Sequence, residues 1–289
     1  MTTGILCALV AALVFGFLGV TFEVAGKRQY NVWDVLLCKQ FVGFLIGLAV
    51  AVFAGGVSYS PKLVVLGLIA AASYIAALAA YLTASRERDI AANWTVMNLS
   101  VVLPILVSVV WFHDAFTLAK AVGVVLTLSS IVAIGGGFQG AAGPGGMSRW
   151  ARAIAIAFFF NAWLPILSRF VPAGSEALFT VWFHGLSLPM LVLYKVLREP
   201  RWEFGRGLAG ISVLAAITHW GGIMLTMLAL VYVGRVSSQA GLIVYPITNG
   251  LVIPIGVLLG LALLKQRVQR KTAAGVVLGM AGLVFLFLP

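Results

Sequence analysis

Apolar residues in this chain do not alternate with polar ones. They run on for about twenty positions at a time and stop at short polar turns. Ten such stretches can be marked out, approximately Gly4 to Val24, Trp33 to Ala54, Leu63 to Leu82, Ala91 to Phe112, Leu118 to Gly135, Ala151 to Phe170, Ala177 to Leu197, Leu208 to Val231, Gln239 to Leu264 and Thr272 to Leu288. About 20 apolar residues are what an α-helix needs to cross the hydrocarbon core of a bilayer. A closed β-barrel also satisfies its backbone in lipid, but it needs a period-two alternation that runs such as Leu103 to Phe112 lack. The pattern predicts an all-α integral membrane protein with ten transmembrane helices, antiparallel to their neighbours because most turns are short.

Composition points the same way. Of 289 residues, 62% are hydrophobic and only 9% charged, with a mean hydropathy of +1.09, whereas soluble domains carry about 45–50% apolar and about 25% charged residues. That excludes an ordinary cytosolic enzyme or DNA-binding domain. The net charge of +11 is spread in pairs and quartets of Lys and Arg between apolar runs. Such spacing sets membrane orientation rather than a nucleic-acid surface. Cys7 and Cys38 lie in apolar stretches as small hydrophobes, so neither a disulfide framework nor a metal site is expected. The first stretch lacks a basic leader and reads as a span, not a cleaved signal.

The glycine-rich break from Gly135 to Gly146, with Pro144, falls near the middle of the chain. It divides the sequence into a first five-helix repeat (1–137), a linker (138–148) and a second five-helix repeat (149–289). Gly135, Gly137 and Gly140 have the G-x-G-x-x-G spacing of a dinucleotide site but no βαβ unit around them, so the stretch reads as a flexible linker. Internal matches support duplication. Met97-Asn98 precedes Pro104-Ile105 as Thr248-Asn249 precedes Pro254-Ile255; Gly123-Val124-Val125-Leu126 matches Gly275-Val276-Val277-Leu278; Tyr81 and Tyr232 keep nearly the same spacing. Each half has an odd number of spans, so the second copy enters the membrane from the opposite side, giving two inverted five-helix repeats, an architecture common among secondary transporters.

The stretch Val244-Tyr245-Pro246-Ile247-Thr248-Asn249-Gly250, followed by Val257-Leu258-Leu259-Gly260, a basic turn and Gly275-Val276-Val277-Leu278-Gly279, resembles the drug/metabolite transporter superfamily, in particular its EamA-like and glucose/ribose-porter-like branches. The resemblance covers the whole chain as architecture and the last two spans of each half as motif. It implies a ten-helix carrier with a central cavity, no cofactor and an inner-membrane location, and leaves the substrate open. Many members carry a Glu where the ninth span ends. Here Lys265-Gln266 stand there, with His113-Asp114 at the corresponding place in the first half, so an acidic role at that helix end is not carried over.

Lys and Arg in short loops favour the cytoplasmic side. Of the nineteen Lys and Arg residues, Lys27, Arg28, Arg86, Arg88, Arg149, Arg152, Lys195, Arg198, Arg201, Arg206, Lys265, Arg267, Arg270 and Lys271 alternate to one side, while only Lys62, Lys120, Arg169 and Arg235 fall on the other. The bias predicts that both termini face away from the cytoplasm, whereas the family resemblance implies termini inside.

Polar side chains within spans are costly and generally face the bundle interior or a water-filled path. Lys39 and His184 hold corresponding places in the two halves, as do Gly16 and Asn161. Two readings of Lys39 stand: attraction of an anionic substrate, or snorkelling to the nearer interface. For His184 they are a structural hydrogen bond and a substrate or proton role. Glu23 comes close to Lys39 in depth, either as a local ion pair or as the coupling carboxylate. Asn98 and Asn249 each precede a mid-span proline, which frees a backbone carbonyl; interhelical hydrogen bonding is the alternative to a ligand. Trp94 and Tyr245 lie one turn earlier, and with Asn93, Asn161, Trp163, Trp182, His219 and Trp220 they are candidates for an aromatic, hydrogen-bonding cavity. Gly275 and Gly279, in G-x-x-x-G spacing, point to close packing within the bundle or to a dimer contact.

The expectation is a secondary transporter, not an enzyme, acting on a small-molecule substrate in the lipid bilayer as a monomer or homodimer. Export of an amino acid or related compound leads. Sugar or nucleoside uptake is the alternative within the superfamily, and a channel or lipid-handling scaffold the alternative outside it. No P-loop motif is present, and the three histidines, His113, His184 and His219, lie on separate spans without a carboxylate cluster.

Overall fold

The computed structural model describes residues 1–54, 56, 59–88, 90–112, 116–135, 149–237, 240–265 and 269–287. The linker 138–148, Gly137, His113-Asp114 and Gln266 lie outside the described residues. Among the described residues the structure is helical throughout, with no strand. Its helices are α1 (Thr2–Lys27), α2 (Val32–Phe53), α3 (Pro61–Ala84), α4 (Ile90–Asn98), α5 (Val102–Phe112), α6 (Leu118–Gly135), α7 (Arg149–Asn161), α8 (Trp163–Ser168), α9 (Glu176–Arg198), α10 (Arg206–Gly234), α11 (Ala240–Tyr245), α12 (Val252–Leu264) and α13 (Arg270–Phe287). Among the described residues eight segments are long and apolar enough to cross a membrane: Thr2–Lys27, Val32–Phe53, Pro61–Ala84, Ile90–Trp111, Arg149–Ser168, Glu176–Arg198, Arg206–Gly234 and Ile243–Leu264. The chain is an all-α, multi-pass membrane protein.

Polarity is arranged accordingly. Large apolar side chains such as Phe41, Val65, Trp111, Val125, Leu193 and Leu258 are exposed, while Lys39, Gln40, Asp34, His184, Lys195 and Thr248 are buried. Lipid is the solvent for the outside. Within it the helices associate by close packing and hydrogen bonds rather than by a hydrophobic drive. The extensive pairs are α6 with α13, α1 with α10, α2 with α9 and α3 with α7, with α12 packing on α1 and α4. Gly275 and Gly279 face α6, where Ser130 donates a 2.6 Å bond to Gly275 O and a β-carbon on Gly279 would meet Ser130 Oγ at 2.8 Å. Their spacing therefore serves contact inside the bundle.

Helix ends follow local chemistry. Asn31 caps α2 by accepting from the amides of Trp33 and Asp34 at 3.0 and 3.2 Å. Ser60 precedes Pro61 at the start of α3, where the missing N–H is harmless. Gln29 and Lys265 take left-handed backbone angles (φ 56° and 51°) and end α1 and α12.

Three membrane segments are interrupted, each at a proline. Between α4 and α5 a 3₁₀ turn, Leu99–Val101, precedes Pro104; α7 and α8 meet at Ala162, before Pro165; α11 and α12 are joined by a π-helical turn, Pro246–Gly250, with Pro254 beyond it. A proline inside a helix removes one donor and clashes with the carbonyl four residues back, so the backbone there changes pitch.

The loops bearing most of the basic residues are knit together on one face. Lys27 donates to Arg88 O, Arg86 to Tyr30 O and Arg88 to Ile134 O, at 3.0, 3.0 and 2.8 Å. Asp34 and Lys195, both fully buried, form an ion pair at 3.1 Å. The Glu203 amide donates to the other oxygen of Asp34, and Lys195 also donates to Arg201 O. Lys195, which the loop count places among exposed basic residues, is thus buried in the last turn of α9.

Candidate functional site

The three interruptions converge. A cavity of about 790 Å³, counting its open mouth, lies among α1, α3, α4, α7, α8, α10, α11 and the π turn. Six of the sequence candidates line it: Trp94, Asn98, Asn161, His219, Tyr245 and Asn249. The remaining wall is mainly apolar, with Phe15, Leu18, Phe22, Leu78, Met97, Leu164, Ile223 and Met227, plus hydroxyls from Ser168, Thr226 and Thr248.

All three asparagines donate through Nδ2 to a backbone carbonyl, and two of them share one geometry. Asn98 Nδ2 donates to Trp94 O at 2.8 Å, and Asn249 Nδ2 donates to Tyr245 O at 3.1 Å, the same four-residue back-bond at matched places in the two halves. Asn161 Nδ2 donates across to Met97 O and Ser100 Oγ at 3.2 and 3.0 Å. Each amide is oriented by a backbone carbonyl, which accepts only a donor. The three carboxamide oxygens therefore remain as acceptors, bonded to no described residue. Tyr245, fully buried, donates to Pro165 O at 2.6 Å and lies 3.1 Å from Ser168 Oγ, tying the π turn to α8.

Trp94 is a buried part of the cavity wall on the side of the basic loops. Its indole is held between two glycines: a β-carbon on Gly19 would lie 2.6 Å from Trp94 Cε2, and one on Gly256 2.5 Å from Trp94 Cδ1. Phe22, Tyr81 and Trp94 follow one another as tilted and edge-to-face rings with centroids 6.2 and 5.5 Å apart. At the opposite end, Ser168 and Met227 border both the cavity and a second hollow lined by Arg169, Glu176, Val231 and Ala240. The cavity thus reaches toward the face opposite the basic loops.

Lys39 and His184 stand behind this wall instead of on it. Lys39 Nζ, fully buried, donates to Gln40 Oε1 at 3.0 Å, lies 2.9 Å from His219 Nδ1 and sits 4.3 Å over the Tyr74 ring. His184 Nδ1 is 2.6 Å from Gln40 Oε1, and Gln40 Nε2 donates to Ser187 Oγ at 2.8 Å. Snorkelling is ruled out for Lys39, which points into the bundle with no exposed surface. Nor does Lys39 pair with Glu23, which is buried near the end of α1 with Lys27 at 3.8 Å.

Other candidates are engaged elsewhere. Trp163 packs toward Phe159 with centroids 6.3 Å apart. Asn93 donates to Arg88 O and accepts from Trp150, Trp182 packs against Gly67, and Trp220 donates to Thr180 Oγ1. Sequence reasoning did not single out Gln40, Ser168, Ser187 or Tyr74. Ser168 carries a signal, three residues after the Pro165 break; Gln40 sits beside Lys39, and its part depends on α9 packing against α2. Among the described residues no three His, Cys, Asp or Glu side chains gather as a metal site would require.

No family model and no curated protein matches the chain. Solved structures do match: a crystal structure described only as that of a protein aligns over 99% of this chain and 98% of its own, with a TM-score of 0.66 at 18% identity. At that identity the likeness is one of fold.

Proposed function

We propose that the chain is a secondary carrier of the drug/metabolite transporter type, with ten spans in two inverted five-helix halves, moving a small polar metabolite by alternating access. In this reading α6 and α13 also cross the membrane, α4–α5, α7–α8 and α11–α12 are single broken spans, and the protein resides in the inner membrane. Helix pairing supports the two halves. Exchanging corresponding spans turns the α1–α10 pair into the α3–α7 pair and maps α2–α9 and α6–α13 onto themselves.

The observation that carries the function is the convergence of three proline-broken segments on one cavity bearing Asn98, Asn161 and Asn249. Irregular backbone at membrane depth is tolerated where it lines a cavity, and it is where carriers place substrate. Toward the basic loops the cavity is bordered by the buried rings of Phe22 and Trp94, with Tyr81 packed on both, while on the other side Ser168 and Met227 also border a hollow at the far face. That asymmetry supports two interconverting states. Three carboxamide oxygens suit an ammonium group, the apolar wall a hydrocarbon side chain, and the His219 ring a carboxylate. We therefore favour an amino acid or related compound, with export as its physiological direction. The same oxygens would accept sugar or nucleoside hydroxyls, which keeps uptake of those compounds as the second reading.

Proteoliposome counterflow with radiolabelled neutral L-amino acids, sugars and nucleosides tests this. Saturable counterflow of the amino acids is the expected result. Counterflow of sugars or nucleosides alone supports the second reading, and unsaturable ion conductance without counterflow overturns the carrier.

A further inference from the structure

We propose that the carrier moves a proton with its substrate, that Lys39 is the group that stores this proton, and that His219 is the relay between Lys39 and the cavity. The proposal rests on the carrier reading above and assigns coupling to an amine and an imidazole instead of to Glu23.

The hydrogen-bond pattern fixes the arrangement. A Lys ammonium only donates, so with Lys39 protonated His219 Nδ1 accepts at 2.9 Å and the His219 proton is on Nε2. Gln40 Oε1 takes Lys39 Nζ and His184 Nδ1, while Nε2 of the same amide donates to Ser187; the flipped amide would set an NH₂ against an ammonium. Gln40 Oε1, His219 Nδ1 and the Tyr74 ring face thus serve the three ammonium hydrogens. Of these groups His219 and Tyr74 both line the cavity; Tyr74 offers Lys39 Nζ only its ring face, whereas His219 offers a ring nitrogen that can take up and release a proton, and Lys39 itself has no exposed surface. Protons reach Lys39 from the cavity through the His219 ring.

Release balances as follows. The Lys39 N–H proton passes to His219 Nδ1 as the Nε2–H proton leaves to water in the cavity. Lys39 ends as a neutral amine accepting from Nδ1–H, with Nε2 bare; uptake is the reverse. The titratable and charged groups around Lys39 are Tyr74 on α3, His184 on α9 and His219 on α10. Asp34, on α2 itself, is engaged by Lys195 of α9. No carboxylate among the described residues lies within ion-pair distance of Lys39, so its charge has no fixed counter-ion. A substrate carboxylate at His219 would supply one. Proton and substrate then favour each other's binding, by reciprocal linkage, and travel together, so an inward proton gradient drives uptake, and export proceeds only where the outward substrate gradient exceeds the proton gradient.

The test uses reconstituted full-length protein and a ¹⁴C-labelled neutral L-amino acid mixture. With the outside medium one pH unit more acidic than the lumen, wild type should accumulate label up to about tenfold over symmetric pH for one proton per substrate. Uptake by Lys39→Met should be the same with and without the gradient. Wild-type uptake indifferent to the gradient, or Lys39→Met uptake that still follows it, overturns the proposal. A second measurement covers a variant that fails to fold or a probe that is not carried. In ¹⁵N-histidine-labelled wild type in nanodiscs, His219 should change from bare Nδ1 with protonated Nε2 to the opposite tautomer between about pH 5 and about pH 9. A His219 that keeps one state across that range overturns the relay. Absence of counterflow for every probe at symmetric pH overturns the carrier reading separately.

Discussion

Lys39, Asp34 and Lys195 lie in the same two-helix layer, α2 on α9, and all three are fully buried, yet their surroundings differ. Asp34 and Lys195 neutralise each other at 3.1 Å and are completed by Glu203 N and Arg201 O, a closed structural pair. Removing one partner of such a pair leaves an uncompensated charge. Lys195→Met is expected to cost about 3–5 kcal/mol and to lower the melting temperature in detergent, while Asp34→Asn combined with Lys195→Met should recover most of the loss. If the double variant melts no higher than the single one, the pair is not what holds α2 to α9. The asparagines call for a different measurement. Each of Asn98→Ala and Asn249→Ala removes one ligand acceptor and should weaken binding of the transported compound about tenfold, roughly 1.4 kcal/mol each, read as a smaller thermal shift at fixed ligand concentration. Retention of full affinity by both variants would remove these residues from the site.

Helix elements were legible where the signal is local. The apolar stretch from Leu118 to Gly135 is the helix observed there, and α1, α2 and α9 begin and end within about three residues of the expected bounds. Prolines flagged the breaks at Pro104 and Pro254, while the one before Pro165 was not singled out; whether a break becomes a 3₁₀ turn or a π turn depends on what fills the gap. At Pro246–Gly250 the filling groups include the Thr248 hydroxyl, donating back to Val244 O, and Asn249 Nδ2, donating to Tyr245 O. Contacts between distant helices were not legible. Nothing near Lys39 in the chain announces His219, because 180 residues separate them. Likewise Trp163 and Trp182 have the composition of a cavity aromatic, but Trp163 packs toward Phe159 of its own broken span and Trp182 against Gly67 of α3. The Trp94 clamp is a packing feature of the same non-local kind, and it predicts that Gly256→Ala costs about 1–3 kcal/mol by overpacking. Trp94→Phe in the Gly256→Ala background should restore melting toward wild type, since the smaller ring vacates the space that the new methyl needs. Equal losses in single and double variants would show that Gly256 matters for some other contact.

At the scale of the whole molecule, the charge bias and the cavity can be set against each other. Contacts among the loops beginning at Arg28, Ser85 and Glu199 place most of the basic residues on one face. The cavity reaches the other face, where Arg169, Glu176 and Ala240 border its neighbouring hollow. If basic loops lie in the cytoplasm, the structure is the state open to the outside, and both termini are outside as well. The alternative, termini inside, turns the same molecule into the state open to the cytoplasm. One labelling experiment separates the two. After Cys7→Ser and Cys38→Ala remove the native thiols, Ser168→Cys places a single thiol where the cavity meets the outer hollow. A membrane-impermeant maleimide applied to intact cells should modify it, and the transported compound should slow that reaction by occupying the cavity above Asn161 and Asn249. Labelling only in inverted vesicles would place the termini in the cytoplasm and reverse the assignment of faces. Ligand protection from either side would still locate the compound in the central cavity, so orientation and site are read independently in one series.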